Sequence, residues 1–371
     1  MDVTGADGIH RADVHEDEAG EGAGSAGDAT RINLGFATRL SEEERRRRAI
    51  LLEWLPPTLI DIHAHANGSH TVGELSAYGW RQVRSSFPTW SIADSAAVRQ
   101  LLFGHCAVRM LRFAQPYKGI DHKAANAYLV ANSPPGDAVA LCGLPDNVSY
   151  TEAELRSGRY AALKMYPHYF EPPATGILDY FRPEAVEVAV TLGLPLILHL
   201  PKPLTDCIGE LLRFAERFPS VRIVLAHLGR QTVATAATLR AFQLASTIPA
   251  LTMDCSMASN VQVHRLALAT LGAERVMFGS DEPMNLLRYV EFDHPTMGRR
   301  FVSQHPYHWL APAIYHGYRH LAVGAVLLHF AVLQALRTAI ADVYPGDEDR
   351  ATGLVFRDNA LRWFPALRPL T

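Results

Sequence analysis

Six side chains that bind metal ions, or that work beside them, recur along this chain at the ends of short apolar segments. They are His63, His65, Lys164, His199, His227 and Asp281. Imidazole and carboxylate groups are the usual protein ligands of Zn²⁺ and related divalent ions. Any one of these histidines alone is more simply explained as a core or surface residue. The set as a whole predicts a metalloenzyme.

The residues around the first two histidines, and not the spacing of the pair, indicate that they belong to a metal site. The chain has 17 histidines, so an isolated HxH pair is expected by chance. The pair in LIDIHAHA, however, follows a short apolar run at residues 59–62 that is typical of a buried strand. The same pattern then repeats: LPLILHL ends near His199, RIVLAHL near His227, LTMDCS contains Asp254, and RVMFGSD ends at Asp281.

The later strand ends are evenly spaced along the chain. His199 and His227 are 28 positions apart, and the steps from His227 to Asp254 and from Asp254 to Asp281 are 27 each. One strand, one helix and two short loops fill that length. Earlier strands are predicted at residues 59–62, 107–113, 138–144 and 161–166, which makes eight strands in all.

Helices are predicted between the strands, for example at residues 206–218, 232–246 and 261–271. Alternating apolar strands and helices indicate a parallel sheet, and eight units indicate an α/β fold of the (β/α)₈ TIM barrel type. An open doubly wound sheet is the alternative, but no GxGxxG follows an early strand. Only a closed barrel brings the ends of strands one, five, six and eight together. Three long loops are predicted at the C-terminal face of the barrel, where they build the substrate pocket, at residues 66–100, 168–182 and 282–321.

Three regions are predicted along the chain: a disordered acidic tail (1–30), an N-terminal helical extension (31–57) and the barrel (58–371). The tail holds eight acids, six glycines and a single base. In the extension, Ser41 and Glu44 form a capping box, and two prolines follow at 56 and 57, so a helix is predicted over residues 42–54.

Composition restricts the classes of partner. Without the tail, 34 bases and 30 acids remain, and a formal charge of +4 is too small to indicate nucleic acid binding. The longest apolar stretch, residues 321–336, is shorter than the roughly 18 residues of a membrane span, so a buried helix is predicted. No secretory signal is visible, and a cytoplasmic location is expected. The four cysteines lie far apart without a CxxC pair, which indicates free thiols.

The ordered motifs resemble those of the amidohydrolase superfamily. The resemblance is to the amidohydrolase-related branch, which contains aminocarboxymuconate-semialdehyde decarboxylase and several hydrolases and lactonases. HxH after strand one, histidines after strands five and six, and GSD after strand eight match in order, and the similarity extends to the closing VFRDNALRWF. The resemblance is specific for metal chemistry and weak for the substrate. It also implies a homo-oligomer, a dimer first, with residues 282–321 as the suspected lid or contact.

Residue chemistry and the resemblance together assign the roles at the metal. His63, His65, His199 and Asp281 are the expected ligands of one divalent ion, with Zn²⁺ first and Mn²⁺ or Fe²⁺ also compatible. Such an ion lowers the pKa of bound water from 15.7 to about 7. The resemblance makes His227 the general acid or base beside that water, sharing proton transfer with Asp281, although His227 could instead bind a second ion.

Lys164, in ALKMYPHY, leaves the number of ions open. Binuclear members of the superfamily bridge two ions with a carbamylated lysine from strand four, and Lys164 ends that strand. It could also be an unmodified lysine that orients substrate or pairs with a carboxylate. Because this branch is mostly mononuclear, the resemblance favours one ion.

Several further residues are candidates for substrate binding or for support of the ligands. Arg230 in AHLGR, Arg112 and Lys118 could hold a substrate carboxylate, or each could pair with an acid of the protein. Tyr166 and His168 follow strand four and suit a planar or cyclic substrate. Asp61 either supports the ligands from behind or is simply a polar residue at a strand end. Asp254 and Cys255 reach the floor of the pocket by position, but the resemblance gives them no required role. A second metal site among five histidines after strand eight is less expected than a lid or surface position: His294, His305, His308, His316 and His320.

The predicted function is a metal-dependent hydrolase that uses metal-activated water on an amide, ester or lactone bond of a small carboxylated or cyclic molecule. A non-oxidative decarboxylase, which is a carbon–carbon lyase, would use the same ligands and is the alternative. A non-catalytic binding protein on a barrel scaffold would be expected to have lost ligands, and all are present.

Overall fold

The computed structural model describes residues 31, 34–35, 37–73, 87–116, 119–170, 173–305 and 310–367. The acidic tail predicted for residues 1–30, the substrate candidate Lys118 and His308 lie outside these residues.

Eight parallel strands form one sheet in the order β1 to β8, in which each strand pairs with the next. Nearly every strand residue is buried, because apolar side chains fill both the barrel interior and the layer beneath the helices. The (β/α)₈ TIM barrel is thereby confirmed. The strands are β1 Thr58–His65, β2 Ala107–Phe113, β3 Ala138–Cys142, β4 Ala162–Met165, β5 Leu196–Leu198, β6 Ile223–Leu225, β7 Leu251–Asp254 and β8 Val276–Met277.

Backbone hydrogen bonds beyond the end of β8 join it to β1 and close the barrel. The amide of Ile62 donates to the carbonyl of Phe278 at 3.1 Å. The amide of Asp281 donates to the carbonyl of His63 at 2.8 Å. Gly279 makes this approach possible, because a Cβ there would lie 2.7 Å from the Cβ of His63. The GSD tripeptide therefore closes the barrel and also delivers Asp281, and the alternative of an open sheet is wrong.

Helices cover the outside of the sheet. The helices predicted at residues 42–54 and 261–271 have the expected bounds, whereas the one predicted at 232–246 begins later because the Thr235 side chain caps it. The helices are Glu42–Trp54, Ile92–Phe103, His122–Asn132, Val148–Arg156, Ile177–Tyr180, Pro183–Thr191, Leu204–Arg217, Ala236–Ser246, Val261–Leu271, Pro312–Tyr318, Leu328–Val343, Glu348–Gly353 and Asn359–Trp363.

The helix Glu42–Trp54 begins with the predicted capping box. Ser41 Oγ accepts from the Glu44 amide at 3.1 Å, and the Ser41 amide donates to Glu44 Oε2 at 2.8 Å. Glu44 also receives two hydrogen bonds from the guanidinium of Arg288, at 2.7 and 2.8 Å. The amide of Leu327 donates to the same carboxylate at 2.9 Å. This buried carboxylate therefore ties the N-terminal helix to the segment that follows β8.

The three connections predicted as long loops contain regular structure in their described parts. Residues 66–100 include most of Ile92–Phe103, and residues 168–182 include Ile177–Tyr180. Residues 282–321 include an antiparallel hairpin, β9 Arg288–His294 and β10 Gly298–Ser303, to which β11 Val326–Leu327 adds a third strand. The loop prediction was wrong at these positions, because the strands are short and only half-buried and their alternating pattern is weak.

The apolar stretch at residues 321–336 is only partly helical, because the helix Leu328–Val343 begins seven residues into it. Within the described part of the chain, no helix is both long enough and apolar enough to cross a membrane. All four cysteines are free and buried, as predicted.

Candidate metal centre

Side chains from the ends of β1, β5, β6 and the segment after β8 meet at the C-terminal mouth of the barrel. His63 Nε2 lies 3.1 Å, and His65 Nε2 3.0 Å, from the same Oδ1 atom of Asp281. Ligand atoms of His63, His227 and Asp281 all lie within 4.8 Å of one another. His199 Nδ1 lies 3.2 Å from His227 Nε2. The structure thus brings all five residues predicted at the metal together, with His227 in the tightest group and His199 beside it.

The hydrogen bonds of the β1 histidines show which ring nitrogen faces the centre. His65 Nδ1 lies 3.1 Å from the carbonyl of Ala114, which can only accept, so Nδ1 donates to it. His63 Nδ1 lies 2.8 Å from Asp254 Oδ2 in the same way. Nε2 of each ring therefore faces the Asp281 carboxylate. Two imidazole nitrogens and a carboxylate oxygen that meet at one point fit a divalent ion, which would replace the proton that His63 carries on Nε2.

Charges around the centre also favour a cation. Burial lowers the pKa of His63, but the carboxylates of Asp254 and Asp281 outweigh it and raise the pKa to about 9. Burial raises the pKa of Asp281, yet His63 and His227 hold it well below its usual value. Burial lowers the pKa of His227 to about 4 and that of His199 well below its ordinary value, so both rings are neutral and can act as ligands.

Two of these side chains project from backbone in the left-handed region. Asp281 has a φ of 60° and His227 a φ of 58°, and the turn continues through Leu228 at 47° and Arg230 at 60°. Left-handed backbone costs roughly 1–2 kcal/mol for each residue other than glycine. Such strain is concentrated at functional sites, where surrounding contacts maintain it. Here the His227 amide donates to Asp254 Oδ1 at 3.0 Å.

Asp254, at the end of β7, contacts more of the site than the sequence analysis recognised. Besides His63 and the His227 amide, it accepts from the Ser256 amide at 3.1 Å and from the Ser256 hydroxyl. The side chain is fully buried. Burial raises its pKa, but His63 and the other donors hold the pKa far below its usual value. The regular 27-residue spacing placed Asp254 at a strand end in the sequence but did not reveal these partners.

Asp61 supports the backbone where the barrel closes. Its Oδ1 accepts from the His63 amide at 3.0 Å and from the Ser280 amide at 2.9 Å. Burial raises the pKa of this carboxyl to about 7 in spite of those hydrogen bonds. Asp61 therefore fixes the segments that carry His63 and Asp281 relative to each other.

Lys164 ends β4 with its amine inside the same centre. The side chain is fully buried, and Nζ has no hydrogen-bond partner among the described residues. It lies 5.0 Å from the ring centroid of Phe113 and 5.1 Å from that of Tyr166. Burial lowers its pKa to about 8, although Asp254 and Asp281 oppose the shift. A carbamylated bridge and an unmodified lysine both remain compatible with this position.

Arg230, His168 and Tyr166 border the centre. Arg230 Nη1 donates to the carbonyls of Leu200 and Pro201 at 2.8 and 2.7 Å. No carboxylate of the described chain forms an ion pair with Arg230. The His168 ring lies 5.7 Å from the His199 ring, centroid to centroid. The rings of Tyr166 and His65 stack at 6.2 Å, and the Tyr166 hydroxyl donates to the Ala114 carbonyl at 3.2 Å.

Arg112 lies elsewhere, and its prediction as a substrate-binding residue is wrong. Its Nε donates to Asp137 Oδ2 at 3.1 Å, and its Nη1 donates to Ser95 Oγ at 2.9 Å. The next residue, Phe113, packs against the ring of His63. Successive strand residues point to opposite faces, so Arg112 lies between the sheet and the helices. It pairs with an acid of the protein, which was the alternative.

Among the described residues, the histidines after β8 belong to no group of three or more side chains that could hold an ion; the group found at the barrel mouth contains His63, His227 and Asp281. The rings of two of these later histidines, His294 and His320, lie 5.2 and 6.5 Å from that of Tyr318, centroid to centroid.

Comparison with known proteins gives one family and a set of similar folds. The family model described as amidohydrolase matches residues 60–365. No curated protein matches the sequence significantly.

Solved structures with the same fold include three from bacteria. The 5-carboxyvanillate decarboxylase of Sphingomonas paucimobilis has a TM-score of 0.53 and 14% identity, and the alignment covers 84% of this chain and 99% of that one. An amidohydrolase of Burkholderia multivorans, solved with bound zinc, has a TM-score of 0.52 and 14% identity, with 83% and 99% covered. A proposed 2-pyrone-4,6-dicarboxylic acid hydrolase of Pseudomonas putida has a TM-score of 0.50 and 17% identity, with 85% and 100% covered. At these identities the similarity shows the fold alone.

Proposed function

The protein belongs to the amidohydrolase family, and on that premise we propose that it is a metal-dependent hydrolase. Its substrate would be a small carboxylated or cyclic molecule with an amide, ester or lactone bond. The observation that carries this proposal is the meeting of two ring nitrogens, Nε2 of His63 and Nε2 of His65, at one oxygen of Asp281. Such a set of ligand atoms fits the divalent ion that this family uses.

We assign the ion to His63, His65, His199 and Asp281, the ligands expected from the sequence. Imidazole and carboxylate ligands suit Zn²⁺, and they also admit Mn²⁺ or Fe²⁺. When bound, the ion would act as a Lewis acid and make water a nucleophile at neutral pH. Side chains of the protein would bind and orient the substrate and transfer protons.

His227 is the residue we assign to proton transfer. Its Nδ1 is bonded to Ser256 Oγ at 2.8 Å, and its Nε2 faces His199 and the centre. The ring is thus held in place while Nε2 stays available to take a proton from the attacking water and deliver it to the leaving group. Asp281, adjacent to this ring in the cluster, is the second group through which that proton can pass.

A non-oxidative decarboxylase is the second candidate. Its support is the similarity in fold to the 5-carboxyvanillate decarboxylase, together with the absence of an acidic ion-pair partner for Arg230 in the described chain. A carboxylate is a natural ligand for such a guanidinium.

The two functions differ in product, and one experiment separates them. Full-length protein loaded with Zn²⁺ is supplied with a panel of lactones, esters, amides and aromatic carboxylates, and each reaction is followed by pH-stat titration and by CO₂ release. We expect acid release without CO₂, lost after chelation and restored by Zn²⁺. Release of CO₂ would establish the decarboxylase instead. Activity that survives complete removal of metal would contradict both.

Arg230 is proposed to anchor a substrate carboxylate. We expect Arg230→Ala to raise KM about 10-fold to 100-fold on a carboxylated substrate, since a charge-assisted hydrogen bond contributes about 1.5–3 kcal/mol. The effect should be absent for an uncharged analogue of the same substrate. Steady-state kinetics on the matched pair of substrates makes the measurement.

Arg222 offers a matched control for this variant. Its guanidinium also donates to backbone carbonyls, those of Gly193 and Trp363, but it precedes β6 and lies at the opposite end of the barrel. We expect Arg222→Ala to leave KM unchanged. An unchanged KM and kcat in Arg230→Ala would remove Arg230 from the substrate site.

A further inference from the structure

Asp254 and Ser256 connect two imidazole rings of the centre through one chain of hydrogen bonds. His63 Nδ1 lies 2.8 Å from Asp254 Oδ2, and His227 Nδ1 lies 2.8 Å from Ser256 Oγ. The Ser256 hydroxyl is in turn bonded to Asp254 Oδ1. The two rings lie at the C-terminal ends of β1 and β6, while the connecting residues lie at the C-terminal end of β7. One short segment thus links side chains from two other strands.

The donors and acceptors in this chain allow one arrangement of protons. Asp254 Oδ1 is surrounded by donors, which are the amides of His227 and Ser256 and the Ser256 hydroxyl. A serine hydroxyl has a single proton. Because that proton is directed at Oδ1, Ser256 Oγ must accept from His227 Nδ1. Asp254 Oδ2 likewise accepts from His63 Nδ1. When either ring is neutral, its one proton then lies on Nδ1, and His63 holds a second proton on Nε2 only below its pKa of about 9.

We propose that Asp254 is a positioning residue which, directly and through Ser256, keeps a proton on Nδ1 of His63 and of His227, so that Nε2 is the nitrogen that each ring presents to the centre. His63 Nε2 then faces Asp281 at 3.1 Å, and His227 Nε2 faces His199 at 3.2 Å. The role of these Nε2 atoms as ligand and proton acceptor depends on the proposed function. The position of the ring protons depends only on the hydrogen bonds.

The same carboxylate supports the backbone from which His227 projects. His227 and Leu228 are in left-handed conformations, and the His227 amide is bonded to Asp254 Oδ1 at 3.0 Å. Loss of the carboxylate would therefore remove an acceptor from a strained turn as well as from a ring. Partners of this kind typically change metal affinity by about 10-fold to 100-fold when they are removed.

Two substitutions should each change the tautomer of one ring and leave the other ring unchanged. In Asp254→Asn, the amide oxygen should occupy the position surrounded by donors, which turns the NH₂ group towards His63 Nδ1. His63 must then accept at Nδ1 and carry its proton on Nε2, while His227 keeps its bond to Ser256. In Ser256→Ala, His227 loses its acceptor and should populate both tautomers, while His63 stays bonded to Asp254.

Nitrogen-15 spectra of histidine-labelled, full-length protein without added metal report the tautomer of each ring when they are recorded at about pH 10, where His63, with a pKa of about 9, is mostly neutral. We expect His63 to invert in Asp254→Asn and His227 to become mixed in Ser256→Ala. Thr252→Val is the matched control, because Thr252 is buried on the same strand and its hydroxyl donates to the Arg275 carbonyl rather than to a ring. Both rings should be unchanged in this control.

Affinity for Zn²⁺ alone, measured by competition with a chromogenic chelator, is the second readout. We expect Asp254→Asn to bind Zn²⁺ about 10-fold to 100-fold more weakly than the wild type and Thr252→Val to match it. Unchanged tautomers in both Asp254→Asn and Ser256→Ala would overturn the proposal, and if Asp254→Asn does not fold, Ser256→Ala decides alone. If the wild type fails to bind Zn²⁺, the proposed function fails, and the spectra still decide the role of Asp254.

Discussion

Replacing Asp281 with asparagine should abolish tight binding of a divalent ion and nearly all activity. Both Nε2 atoms of the β1 histidines lie about 3 Å from Asp281 Oδ1. The substitution removes the negative charge at the point where those two nitrogens meet. Loss of a direct ligand should exceed the 10-fold to 100-fold effect of a supporting residue, so affinity for Zn²⁺ should fall by more than about 100-fold. Because the ion contributes several kcal/mol, kcat/KM should fall at least about 10³-fold.

Metal content after gel filtration, Zn²⁺ affinity by chelator competition and steady-state kinetics together measure this effect. Asp293→Asn is the control, because its side chain is 79% exposed on the hairpin and lies outside the centre. The control should retain wild-type metal content and activity. A folded Asp281→Asn protein with wild-type zinc content would show that Asp281 is not a ligand.

Replacing Glu44 with alanine should lower the free energy of unfolding by about 3–5 kcal/mol, which is the usual cost of removing one partner of a buried ion pair. Glu44 is 0% exposed, and its carboxylate accepts from the guanidinium of Arg288, from the amide of Leu327 and from the amide of Ser41. The substitution would disconnect the N-terminal helix from β9 and β11. Urea unfolding, followed by circular dichroism and by tryptophan fluorescence, measures the change.

Glu43, one position earlier on the same helix, is the matched control. It pairs with Arg46 and Arg47 at the surface, where solvent screens the charges. Glu43→Ala should therefore leave the urea midpoint almost unchanged. Equal effects of the two substitutions would show that helix propensity, and not the buried carboxylate, accounts for the loss.

The Glu44 contribution should also depend on pH. Burial raises the pKa of Glu44, but the hydrogen bonds from Arg288 and Ser41 lower this pKa. Their combined effect is larger than that of burial, so the pKa in the folded protein lies below the ordinary value. The stabilisation is therefore fully present above the unfolded pKa of about 4.3 and is lost as pH falls through the folded pKa. The stability difference between wild type and Glu44→Ala should be constant near neutral pH and shrink below about pH 4.

The metal-site histidines were predictable because they stand where apolar strands end, and a closed barrel brings strand ends together. Asp254 and Ser256 were not, because their importance lies in hydrogen bonds to residues from other strands. Serine and aspartate are common beyond strands, and neither spacing nor hydropathy distinguishes a carboxylate that is bonded to a ring from one in solvent. Position alone placed Asp254 at the site without showing its partners.

The error at Arg112 has a related cause. Strand β2 carries apolar residues and one arginine on each face, so its sequence does not show which side chains point into the barrel. The structure shows that Phe113 points towards the histidines and that Arg112 points towards Asp137. Arg230 lies in a short turn rather than within a strand, and its guanidinium lies at the border of the site.

Metal analysis of the purified full-length chain, combined with intact mass spectrometry, tests the proposed centre most directly. Protein produced with Zn²⁺, Mn²⁺ and Fe²⁺ available should hold one divalent ion per chain, with Lys164 unmodified. Two ions per chain together with a mass gain of one CO₂ on Lys164 would contradict the single ion. A folded wild-type chain that retains no divalent ion would contradict the metal centre itself.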